Sequence, residues 1–226
     1  DGTKLSANVT FPNDGSTGPW PVVVDYSGYD PSQPGTTPQE AQLYPYLGYV
    51  VVGVNMRGTT CSGGAFWFFE EAQRADGYDV IETLAHQSWS NGNVGMVGIS
   101  YSGYSQLYVA ATQPPHLKAI TPLSPFSDGY SGILYPGGIR NEGFALDWAL
   151  ERQADSKPAA HTWVKNRISG GDTTCQQNQV MRLQSQNISN EIVDGRFNDL
   201  TYRYLDPSSF APDIRVGRDK VGRAHF

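Results

Sequence analysis

Ser100 lies in the run GMVGISYSGYSQ (95–106), two residues after Gly98 and three before Gly103, with Tyr101 directly behind it. A serine hydroxyl becomes a useful nucleophile only when a base takes its proton and the chain presents it on an exposed, strained turn. The strict spacing for such a turn is G-x-S-x-G; here Ser102 stands at the last position and Gly103 follows one residue later. Both Gly98 and Ser102 are small, as a tight strand-to-helix turn requires of the residues flanking its serine. The motif by itself is weak, and a serine at a helix start serves equally well as an N-cap. Its meaning depends on the elements around it.

LSANVTFP (5–12) and WPVVVDYSG (20–28) read as strands, the second a β-branched run ended by Ser-Gly. TPQEAQLYPYLGY (37–49) carries helical spacing after a Thr-Pro start, and YVVVGVNMRG (49–58) is a buried strand. EEAQRADGYDVIETLAHQSW (70–89) places Val80, Ile81, Leu84 and Ala85 on one helical face. NVGMVGIS (93–100) is the next strand, YSGYSQLYVAATQPP (101–115) a helix stopped by two prolines, and LKAITPLSP (117–125) a further strand. This alternation predicts a parallel sheet with helices on both faces, and it sets Ser100 where a strand passes directly into a helix. Beyond residue 128 the Val and Ile runs disappear and helical patterns, 142–154 and 180–187, alternate with polar loops. The expected division is a core over 1–128, a helical cap over 129–212 and an incomplete return to the core over 213–226.

Composition narrows the partners. The 226 residues carry a net charge of -6 with 17% charged side chains, and no Lys/Arg cluster forms a stripe for phosphates, which argues against nucleic acid. No apolar run reaches the roughly 18–20 residues of a membrane span. Cys61 and Cys175 are far apart, without CxxC or adjacent histidines, so neither a zinc cage nor a redox dithiol is expected, and no metal or cofactor is called for. A disulfide and two buried thiols both fit the pair. The low charge and the triplets Asn8-Val9-Thr10 and Asn187-Ile188-Ser189 fit a secreted or periplasmic protein; a cytoplasmic one is the alternative.

Several blocks together resemble a known family: DGTKLSANVTFP, DYSGYD (25–30), NMRGTTCSGGAF (55–66), Gly77-Tyr78-Asp79, W-x-N-G-N-V-G-M-V-G-I-S-Y-S-G and PLSPFSDGYSGILYPGG. They are similar to the α/β-hydrolase serine enzymes that include cocaine esterase, X-prolyl dipeptidyl peptidases and α-amino-acid ester hydrolases. The resemblance implies an α/β-hydrolase fold with a helical cap and a C-terminal part still to come. It also implies Ser100 as acyl-forming nucleophile, the backbone N–H of Tyr101 as one oxyanion donor and the phenol of Tyr29 as the other. A phenol is a neutral hydrogen-bond donor suited to developing negative charge; read on its residues alone, Tyr29 is an ordinary turn aromatic. Phe144, Trp148 and Trp163 fall where the family builds its acyl pocket, and helix packing explains them equally well.

The base is the open question. His86 lies in a helix before the serine, His116 follows Pro114-Pro115 at a helix end, and His161 falls in the cap. In DIRVGRDKVGRAHF (213–226), Asp219 with His225-Phe226 reproduces the family's spacing from triad acid to a His-Phe pair, so Asp219 resembles the triad acid. The apolar strand expected before Asp219 is missing, and the match is either a shortened tail or an accident of spacing. In the family the catalytic histidine follows later, so the resemblance implies that this chain is the N-terminal part of a longer enzyme and is catalytically impaired alone.

The expected activity is hydrolysis of a small ester or amide, or of a short peptide, through an acyl-enzyme on Ser100. A proline-specific dipeptidyl aminopeptidase is the rival within the class, with Glu142, Asp147 or Glu151 as candidates to bind a free amine. A non-catalytic module that kept the fold without a triad histidine is the rival outside it.

Overall fold

Five runs of β-branched or small residues form one sheet in the computed structural model, which describes residues 1–67, 70–126, 129–185 and 187, and the backbone of 217–218 and 224–225. The strands are β1 (Ala7–Thr10), β2 (Trp20–Ser27), β3 (Val50–Asn55), β4 (Ser90–Ile99) and β5 (Leu117–Leu123), in the order β1-β3-β2-β4-β5. β4 runs parallel to both β2 and β5, while β1 closes the far edge antiparallel to β3. Helix α1 (Glu71–Ala85) connects β3 to β4, and α2 (Tyr101–Ala111) connects β4 to β5. This is the mostly parallel, helix-covered sheet of an α/β-hydrolase, as the sequence predicts.

Burial follows the residue pattern. All six residues of β3 are buried, as are the last six of β2, which fits inner strands covered on both faces. On one face Val23, Val51 and Val97 pack with Ala41, and Tyr44 and Tyr49 close over them. Helix α2 packs on β2, β4 and β5, and Ile81, Leu84 and Ala85 of α1 are buried as its periodicity requires.

The helix expected over 37–49 is instead two 3₁₀ turns, Gln39–Ala41 and Tyr44–Leu47. Pro45 lacks an N–H to continue an α-helical ladder, and Gly48, at φ 80°, ends the second turn in the left-handed region. The helical pattern at 180–187 likewise becomes a 3₁₀ turn, Val180–Gln184.

The chain forms two compact units. The sheet unit holds residues 7–54 and 74–125; the other gathers 1–6, 55–73 and the described residues of 126–209. The second unit contains α3 (Phe144–Asp155), α4 (Thr162–Ser169) and α5 (Thr173–Gln177). A disulfide joins Cys61 to Cys175, and Val164, Ala159, Trp163 and Ile168 pack around it. Arg182, 3% exposed, donates to the carbonyls of Thr60, Ser62 and Gly64, tying the 60–64 loop to the helical segment. In the tail, Gly217–Arg218 pairs antiparallel with Ala224–His225.

Candidate active site

Because β2 and β4 are parallel and in register, with Val24 opposite Met96, their C-terminal ends lie side by side. Tyr29 is two residues past the end of β2 and Ser100 one past the end of β4. Their oxygens, Tyr29 Oη and Ser100 Oγ, are 3.1 Å apart.

Ser100 has φ 61° and ψ −114°, a conformation that costs a non-glycine residue about 1–3 kcal/mol. The surroundings hold it there. Its N–H donates to the Leu123 carbonyl at the end of β5, and its own carbonyl accepts from Tyr104 N–H in α2. Two glycines make this turn possible. At Gly98, φ 153°, a Cβ would stand 2.3 Å from Ser102 Oγ, and at Gly103 it would stand 2.3 Å from the Leu123 carbonyl oxygen. Ser102, in place of the motif's usual second glycine, fits because its hydroxyl donates to Ile99 O.

The N-cap alternative for Ser100 is not what the fold uses: the residue occupies the N-cap position, but its side chain makes no capping bond. Its hydroxyl meets Tyr29 instead. Among the described residues no histidine meets Ser100. Tyr101 opens α2, so its amide lies in the first helical turn, whose N–H groups point out of the helix N-terminus, the favourable end for negative charge. Its ring is buried and meets Tyr29 edge-on, with centroids 5.6 Å apart at 84°.

Four polar residues that the sequence reading did not single out position this corner. The Tyr29 N–H donates to Ser27 Oγ, which donates to Asp25 Oδ1, so a short relay descends from the tyrosine into the sheet. Burial pushes the Asp25 carboxyl up to about 7, against the pull of the Ser27 hydroxyl. On the helix side, Ser105 Oγ donates to Tyr26 O at 2.6 Å. The fully buried Gln106 accepts from Thr121 N–H at 2.7 Å and donates to Ser102 O at 3.0 Å. A carboxylate and a carboxamide inside Val-rich or Ala-rich segments are the one sequence signal that marks such residues.

The other expected residues are dispersed. Phe144 is exposed at the start of α3, Trp148 is half-buried in the same helix, and Trp163 in α4 packs against the disulfide cluster. Asp219 lies outside the described residues, as does the side chain of His225. His161 Nε2 is 3.2 Å from Asp155, and His116 Nδ1 is 2.7 Å from Glu82. Glu142 is paired with Arg140, and Glu151 lies 3.6 Å from Arg152.

A strained serine at the end of a central parallel strand, followed at once by a helix, places the chain among the α/β-hydrolases. The family model for X-Pro dipeptidyl-peptidase (S15 family) matches residues 1–202, and the chain belongs to that family. It is 32% identical over 169 residues to the cocaine esterase of Rhodococcus sp., covering 70% of this chain and 29% of that protein. A CocE/NonD family hydrolase of Staphylococcus aureus superposes with a TM-score of 0.71 at 28% identity, covering 91% of this chain and 36% of that one. An α-amino acid ester hydrolase shares the fold at a TM-score of 0.68 and 21% identity, over 96% of this chain and 39% of that one. The chain thus spans under a third of the length of that esterase.

Proposed function

We propose that this chain carries the nucleophile and oxyanion site of a serine hydrolase that cleaves a small ester or amide. The observation that carries the reading is the strained Ser100 with its hydroxyl 3.1 Å from Tyr29 Oη at the start of α2. Ser100 Oγ attacks the substrate carbonyl carbon as its proton passes to a base. The oxyanion formed is held by the Tyr29 phenol and the Tyr101 N–H, both neutral donors at a helix N-terminus. Collapse expels the alcohol or amine and leaves an acyl group on Ser100, which water then removes. A histidine base and the Asp219 acid complete the cycle in this reading, as in other serine hydrolases. The Cys61–Cys175 disulfide supports an oxidising, exported setting.

The family description supports a second reading, an aminopeptidase releasing X-Pro dipeptides. That reaction needs a carboxylate for the substrate amine, and Glu142 is engaged by Arg140; the ester reading requires no such group. A fluorophosphonate probe on the full-length protein tests the shared nucleophile. The expected result is a stoichiometric adduct, with phosphorus bonded to Ser100 Oγ and fluoride released, that Ser100→Ala abolishes. An adduct that survives Ser100→Ala, or none on the wild type, overturns the hydrolase assignment.

A further inference from the structure

At the opposite end of the parallel strands from Ser100, three potential metal ligands converge. Glu82 and His86 are one helical turn apart at the end of α1, and His116 precedes β5. One ligand atom from each lies within 4.8 Å of the others. The backbone fixes the place: Val94 N–H in β4 donates to the His116 carbonyl, and His116 N–H donates to Glu82 Oε1 at 3.1 Å. Six residue steps along β4, about 20 Å of extended chain, separate Val94 from Ser100.

We propose that Glu82, His86 and His116 form a binding site for a divalent transition-metal ion, zinc by donor set, which clamps the end of α1 to the start of β5. The chemistry of each donor fits. His86 Nδ1 lies 2.7 Å from the Glu82 carbonyl oxygen, an acceptor only, so Nδ1 carries the hydrogen and Nε2 offers its lone pair. That arrangement, with the second ring nitrogen tied to a backbone carbonyl, is how metal-binding imidazoles are oriented. His116 Nδ1 and Glu82 Oε2 are 2.7 Å apart, joined by a hydrogen bond. A tetrahedral zinc ion with bonds of about 2.0–2.1 Å sets its ligands roughly 3.3 Å apart, so this contact must open by only about 0.6 Å. The metal takes the place of the Nδ1 hydrogen of His116, and the bound imidazole carries its hydrogen on Nε2. His86 is exposed, and the Glu82 and His116 side chains are 20% and 33% exposed, so the ion has a path in and water completes its coordination. The two rings already meet edge-on at 4.9 Å between centroids, close enough to turn onto one ion. Two imidazoles and a carboxylate select zinc over calcium or magnesium, which take oxygen donors.

The test is zinc titration into the purified protein stripped with a chelator, read by calorimetry and by thermal unfolding. One equivalent is expected to bind and raise Tm, and Co²⁺ in its place is expected to give the visible absorption of a tetrahedral N/O site. His86→Ala alters an exposed side chain and should leave metal-free unfolding unchanged while weakening zinc at least about tenfold. Glu82→Gln should weaken it as much, and His161→Ala, in the other unit, should not. Absence of stoichiometric zinc binding, or binding in His86→Ala and Glu82→Gln as tight as in the wild type, overturns the site. None of these readouts depends on the reaction proposed for Ser100.

Discussion

In the sheet unit the buried set is largely aliphatic and covers both faces of the strands: Val22, Val24, Val50, Val51, Val52, Val94 and Val97, together with the buried Tyr26 and Tyr104. In the helical unit the cluster around the disulfide is Cys61, Cys175 and Val164, and the buried Arg182 holds a loop through three carbonyls. The first unit is specified by strand burial and close backbone approach, the second by a covalent link and charged hydrogen bonds around a small core. A covalent link matters most where apolar burial is least. The Ser100 corner sits in the first kind of structure, where its strained φ is held by bonds to Leu123 and Tyr104.

The largest effect should come from cutting the link. Cys61 and Cys175 are 114 residues apart, and opening a loop of that size removes about 4–5 kcal/mol by the chain-entropy argument. In Cys61→Ser with Cys175→Ser, amide exchange in α4 and α5 should accelerate while β4 and α2 keep their protection. Equal acceleration in both units would show that they do not differ as described.

Next is Tyr29→Phe. If the phenol serves the oxyanion, phosphonylation of Ser100 slows by about 10²–10³, roughly 3–4 kcal/mol of barrier, with Tm unchanged because Tyr29 is 37% exposed. An unchanged rate removes Tyr29 from the site. A lowered Tm with an unchanged rate makes it a structural turn residue.

The most gradual effect, spread over several pH units and the most diagnostic for the sheet unit, is electrostatic. The Asp25 carboxyl, pushed by burial to about 7 from the ordinary 3.8, keeps a proton in the folded state that the unfolded chain releases. Its favourable contribution is complete below about pH 4 and disappears as pH rises towards 7, with a slope of up to about 1.4 kcal/mol per pH unit. Asp25→Asn should flatten that slope in urea unfolding measured from pH 4 to 8. A slope equal to that of the wild type would mean that another group is responsible.

The relation between the two sites shows what a linear reading can reach. Ser100, Gly98 and Gly103 are close in sequence, and their turn is local, so the strand–serine–helix junction is legible without coordinates. Residues 37–49 misled, because helical spacing says nothing about the proline that breaks the ladder at 45. Tyr29 is 71 residues from Ser100 and reached its place by resemblance alone; parallel pairing of β2 and β4 supplies the physical cause. The relay from Asp25 and the clasp of Gln106 were missed because a buried polar side chain reveals its partner only when the chain folds.

The sequence by itself determined the alternating strands and helices, the turn at Ser100 and the family, since each rests on short local runs of residues. Only the tertiary structure decided that the cysteines are joined, that Tyr29 faces Ser100, and that Glu82, His86 and His116 meet. The first of these depends on the packing of a loop against a helix, the other two on strand order and register, and together they join residues from 30 to more than 100 positions apart.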